Sequence, residues 1–175
     1  MKNAYILFNY HCEKSWMLAC CLANGLSNLS GIYQDKIKAT LFNVAHTPDA
    51  NDERSWFTLV KDDVENSDFC IFLFSQELNN PEAYGSNGAG LISEALLFWQ
   101  ETNNLKRDKM IPICIDFLPD QLERPKGEYE QLQDIIVPMI KNAGVETFNF
   151  DNIINNKSGY LREFMNDIAK RIVSI

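Results

Sequence analysis

The chain has 175 residues, 46% of them hydrophobic, and a formal net charge of −8. That is enough apolar material for one domain with a packed core, read as residues 1–175. The acidic balance excludes a nucleic acid or an anionic membrane surface as the expected partner, since both need a basic face; a nucleotide held by a few local groups remains compatible.

No run of about 18 apolar residues is present, so no membrane span is expected. The N-terminal stretch MKNAYILFNYHCEKSW reads as a first buried strand. It is too short for a signal peptide and lacks a small-residue cleavage site. The five cysteines, Cys12, Cys20, Cys21, Cys70 and Cys114, are odd in number and show no CxxC spacing. They read as reduced structural thiols of a cytoplasmic protein. With only two histidines, His11 and His46, and no ligand-spaced cluster, no zinc site is expected.

Taken in chain order, residues 4–9 (AYILFN) form a strand and residues 13–29 a helix, with Trp16, Cys20 and Ala23/Asn24 spaced at three to four. Residues 37–44 form a second strand, 45–55 a polar loop and 56–66 a short helix with Phe57, Val60 and Val64 on one stripe. Its acidic run Asp62, Asp63, Glu65 reads as a solvated face. The unbroken apolar run 68–75 (DFCIFLFS) has the pattern of a central parallel strand buried on both faces. A loop over 76–90 leads into a helix containing Glu94. Residues 109–117 give a fourth strand and 129–143 a helix interrupted by Pro138, with Gly144 placed to stop it. Residues 145–150 give a fifth strand. The last helix, 159–175, turns Leu161, Phe164, Ile168 and Ile172 inward.

Five strands alternating with helices, none joined by a tight hairpin, specify an α/β fold: a flavodoxin-like three-layer sandwich whose five-stranded parallel sheet has the order 2-1-3-4-5. Such sheets bind ligands beyond their carboxyl edge, near the switch between strands 1 and 3. The exits FNYHCE and FSQELNN are therefore expected to meet.

The stretch YGSNGAGLISEALLFWQ (84–100) places one carboxylate, Glu94, beside Leu91, Leu97 and Phe98 on a helix face. An acid near a helix N-terminus commonly just complements the helix dipole. Set in a cleft, it is also a candidate catalytic group. Gly85, Gly88 and Gly90 do not form a dinucleotide fingerprint, because they follow strand 3 with the wrong spacing. They suit either plain flexibility or a backbone surface that a nucleotide can approach closely. His11 and Cys12 are adjacent in an extended segment, where side chains point apart, which argues against a nucleophile pair. Phe98 and Trp99 read as core.

The combination of ILFNYHCEKSW, VENSDFCIFLFSQ and MIPICID with an acid on the helix after strand 3 resembles the Toll/interleukin-1 receptor (TIR) domain family. The likeness runs over about residues 4 to 117. The FNYHCE form, with Ser55 and Trp56 later, resembles the bacterial TIR-like proteins of Thoeris-type antiviral defence more than animal receptor adaptors. The chain departs from animal and plant members in lacking a tryptophan just before the acid: Gly90, Leu91, Ile92 and Ser93 precede Glu94, and Trp99 follows it.

The resemblance implies cleavage of the nicotinamide–ribose bond of NAD, with NAD as substrate and no bound cofactor or metal. It implies Glu94 as the catalytic carboxylate, stabilising an oxocarbenium-like transition state. It points to Phe8, Asn9, Tyr10, His11, Ser75 and Gly85 as substrate-binding residues. Phe8 and Tyr10 would stack on a ring, or alternatively pack under a helix. Ser75 would donate to a ribose or phosphate oxygen, or alternatively serve as a turn residue. The product would be ADP-ribose or a cyclic signal handed to a separate effector, with self-association as a possible partner mode. Two other functions fit the same residues. One is a non-enzymatic TIR assembly module with interfaces at 45–55 and 76–90. The other is a nucleoside deoxyribosyltransferase-like enzyme in which a glutamate attacks the sugar.

Overall fold

The computed structural model describes residues 1–8, 12–41, 63–75, 109–118, 138, 141–155 and 159–174. Five strands run Lys2–Phe8 (β1), Ile37–Leu41 (β2), Phe69–Ser75 (β3), Met110–Ile115 (β4) and Glu146–Phe148 (β5). All pairings are parallel and the order is β2-β1-β3-β4-β5. This is the α/β, flavodoxin-like sheet that the alternation of elements specifies. The described helices are α1 (Glu13–Ser27), a single turn α2 (Asp151–Ile154) and α3 (Tyr160–Val173); a 3-10 turn spans Gly31–Tyr33.

Burial explains why the central strands read as unbroken apolar runs. Every residue of β3 and of β4 is buried, as are Ala4 to Phe8 of β1. Successive strand side chains point to opposite faces, so full burial requires cover on both. On one face Phe8 packs edge-on against Trp16 of α1, with ring centroids 5.5 Å apart. On the other, the Tyr5 hydroxyl donates to Asp63, 3.4 Å away, beside the helical residues 63–65. Phe69, Phe72, Phe74 and Phe148 are among the largest fully buried side chains. Each contributes on the order of 2–3 kcal/mol of apolar transfer free energy.

The last helix behaves as its spacing predicts. Phe164, Ile168, Ala169 and Ile172 are buried, Leu161 is half-buried, and Lys170 and Arg171 sit in the last turn, where cations complement the dipole. Phe164 meets Phe148 of β5 edge-on at 4.9 Å. Helix α1 differs from its predicted stripe. Its buried residues are Ser15, Leu18, Ala19, Leu22 and Leu26, whereas Trp16 is 45% exposed and Asn24 lies outside. Helices α1 and α3 approach closely at Gly25, where the Met165 sulfur occupies the space a Cβ would need. Gly144, at φ +75°, ends the helical residues 141–143 as expected, its amide donating to the Lys141 carbonyl at 3.2 Å. Of the predicted helices, most of 56–66 and 129–143 and all of that carrying Glu94 lie outside the described residues.

Candidate functional site at the carboxyl edge of the sheet

The register fixes which side chains share the carboxyl edge. Phe8 pairs with Leu73, and Ser75 lies two residues further along β3. Paired residues of neighbouring strands, and residues two apart, point to the same face. Ser75 therefore faces the α1 side, as Phe8 does. The exits of strands 1 and 3 lie side by side, as the topology requires.

Two hydroxyls stand out there. Ser75 is 4% exposed and Ser15, in the first turn of α1, is fully buried; neither side chain has a hydrogen-bond partner among the described residues. Helical side chains lean toward the N-terminus, so Ser15 leans toward this same edge. A buried hydroxyl without a partner costs roughly 1–3 kcal/mol in desolvation. Two of them at the edge where such folds bind ligands make donors for an oxygen-rich molecule.

Around them, charged groups tie three strand exits together. Asp116 follows β4 in the left-handed region, at φ +61°, a strained conformation for a residue with a Cβ. One of its oxygens accepts from the Phe150 amide at 2.7 Å, and the other pairs with Lys14 of α1. The Lys14 ammonium also lies 5.6 Å from the centre of the Phe150 ring. Hydrogen bonding to Asp116 raises the Lys14 pKa, against a smaller opposing effect of burial. The Tyr160 hydroxyl accepts from the Asn149 amide at 2.9 Å, which fixes the β5 exit.

Of the residues predicted to form the site, Phe8 and Ser75 are described. Asn9, Tyr10, His11, Gly85 and Glu94 lie outside the described residues. Phe8 is 4% exposed and braced by Trp16, so its ring has the packing of a core side chain under a helix. Among the described residues, the half-exposed Trp16 is an open aromatic at this end. Sequence reasoning missed Ser15, Lys14 and Asp116. The signal for Asp116 was present in MIPICID, an acid placed just where an apolar strand ends.

Other chemistry is sparse. All five cysteines are free thiols; burial alone pushes that of Cys114 up to about 12, so it stays protonated and unreactive at neutral pH. No group of three or more His, Cys, Asp or Glu able to hold a metal occurs among the described residues. No described helix is long and apolar enough to cross a membrane. A groove of about 330 Å³, lined by Tyr5, Lys38, Thr40 and Asp63 among others, lies on the face away from α1; neither Phe8 nor Ser75, the two predicted site residues that are described, lines it. No protein-family model matches the chain, and no curated protein matches it either.

Proposed function

We propose that this chain is a NAD-consuming enzyme of the TIR type, acting in the cytoplasm and related to bacterial antiviral defence. The observation that carries the proposal is the pair of buried hydroxyls, Ser15 and Ser75, without partners among the described residues, at the carboxyl edge where the ends of β1 and β3 adjoin. NAD offers ribose and pyrophosphate oxygens that accept from such donors. The half-exposed Trp16 offers an aromatic surface for a base.

In the proposed reaction the bond between the anomeric carbon and the nicotinamide nitrogen breaks. Its electron pair leaves with neutral nicotinamide, and positive charge develops on the ribose. The Glu94 carboxylate stabilises that charge and accepts from the ribose hydroxyls. Water then adds to the anomeric carbon and releases a proton, giving ADP-ribose. Capture by a nucleophile within the same molecule gives a cyclic product for a downstream effector. Asn9, Tyr10 and His11 from the β1 exit, Ser75 from the β3 exit and Gly85 of the glycine loop are the proposed contacts to substrate, with Phe8 packed beneath them as a support for the β1 exit.

The test is incubation of purified protein with NAD, with chromatography and mass detection of products, beside Glu94→Gln. Nicotinamide release by the parent and a loss of at least about 100-fold in the variant is the expected result. No release at any protein concentration, together with base exchange on deoxynucleosides, would replace this reading with the deoxyribosyltransferase one.

A further inference from the structure

The face of the sheet away from α1 changes character across its width. Over β3 it carries Cys70, Phe72 and Phe74, all fully buried. Over β1 and the edge strand β2 it carries Asn3, Tyr5, Lys38 and Thr40, in two cross-strand pairs, Asn3 with Lys38 and Tyr5 with Thr40. These four side chains floor the groove of about 330 Å³, and Asp63, Asn66 and Ser67 form a wall of it. Lys38 makes no hydrogen bond or ion pair among the described residues. Asp63 is held in place: one carboxylate oxygen accepts from the Tyr5 hydroxyl, and its carbonyl accepts from the Ser67 hydroxyl at 2.8 Å. A cation and an anion thus face one groove without pairing with each other. An edge lysine by itself guards a sheet against pairing with another chain. That role needs no carboxylate across a groove from it.

We infer that this groove binds an α-amino acid, with its carboxylate on Lys38 and its ammonium on Asp63. The charges select the ligand class. A phosphorylated ligand would meet Asp63 and a net charge of −8, with one lysine in the groove to offset them. A metal ion would find a single carboxylate there. An apolar ligand would leave the polar floor and wall unmatched. Size agrees, since the volume is at the low end of small-molecule pockets and has room for one such molecule. So does position. Lys38 lies diagonally across the strand pair from Tyr5, which holds Asp63, and diagonal neighbours are about 7–8 Å apart. Side chains reaching in from those two corners meet a ligand that carries both charges on one carbon. Asn3, Thr40 and Asn66 supply neutral donors and acceptors around it. Ser75 faces the other side of the sheet, so this groove is separate from the carboxyl-edge site. The inference does not rest on the NAD reading, because binding is measured without NAD.

Each of the standard amino acids is titrated, up to about 10 mM, into the nitrogen-15-labelled chain, and amide chemical shifts are followed. At least one is expected to bind with a Kd of about 0.01–1 mM and to move the amides of Asn3, Lys38, Thr40 and Asn66. Its N-acetyl derivative, which lacks the ammonium, and its carboxamide, which lacks the carboxylate, should each bind at least about tenfold more weakly. Lys38→Met and Asp63→Asn should weaken binding of the parent amino acid by a similar factor. No binding of any amino acid at the highest concentration overturns the inference. So does equal binding of either derivative, or binding that Lys38→Met leaves unchanged. Should Asp63→Asn fail to fold, the two derivatives and Lys38→Met, at an exposed position, decide the question.

Discussion

The two edges of the sheet are built on different principles. At the amino edge the buried polar side chains among the described residues are matched. The Arg171 guanidinium donates to the Gly144 carbonyl at 2.6 Å, to the Met110 carbonyl at 2.9 Å and to the Ala143 carbonyl. The Asn3 amide donates to the Asp68 carboxylate at 2.8 Å, and the Asp68 amide to the Asn3 carbonyl at 3.0 Å. At the carboxyl edge, Ser15 and Ser75 keep buried hydroxyls without partners among the described residues, and Asp116 is held at positive φ. The difference teaches where stability and function divide. One edge closes the fold; the other holds strained and unmatched groups of the kind that collect at binding sites.

This contrast is open to attack by mutation. The largest effect is expected at Arg171. Arg171→Ala removes three charge-assisted hydrogen bonds and leaves carbonyls unmatched, a loss of about 3 kcal/mol, or roughly 6–12 °C in Tm by calorimetry. Turnover per folded molecule should not change; a fall in it would blur the division between edges. Asp116→Ala comes next. It removes the acceptor for the Phe150 amide and the partner of the exposed Lys14, and should destabilise by about 1–2 kcal/mol in urea titration. An effect of several kcal/mol would make the carboxyl edge as structural as the other.

Ser75→Ala sharpens the comparison most, because it predicts opposite signs for two measurements. Losing an unpartnered buried hydroxyl should leave stability unchanged or raise it by up to about 1 kcal/mol. If that hydroxyl is kept for a ligand, KM for NAD rises in the same variant. Lower stability with unchanged KM would mark Ser75 as structural.

The smallest effect is expected at Glu146, beside Arg171. Burial raises its pKa, and Arg171, 3.9 Å away, offsets this only in part. A carboxyl whose folded pKa is raised stabilises the protein fully below the unfolded value, and this is lost as pH rises through the folded one. Glu146→Gln should therefore gain stability relative to the parent as pH rises from about 4 to 7. With the side chain 40% exposed, the gain is a few tenths of a kcal/mol at most. Equal Tm differences at both pH values would contradict it.

The two long helices show how far the sequence could be read. In α3 the inward residues Leu161, Phe164, Ile168 and Ile172 were legible because charged residues fill the spaces between them. In α1 the same method chose Trp16, Cys20 and Ala23/Asn24, whereas the sheet covers Ser15, Leu18, Ala19, Leu22 and Leu26. A helix with apolar residues on every side carries no periodic contrast, so its orientation is set by what it packs against. The candidate site divides in the same way. Ser75 was visible as the end of a buried strand. Ser15, Lys14 and Asp116 became site residues only once three strand exits came together.

The sequence by itself determined the five strands, their parallel arrangement and their order, because fully apolar runs alternating with helices admit few other packings. Only the tertiary structure decided which face of α1 meets water, which hydroxyls are buried without partners among the described residues, and that Lys14, Asp116 and Phe150 meet at one edge. Those outcomes depend on contacts between residues far apart in the chain, and local pattern carries no record of them.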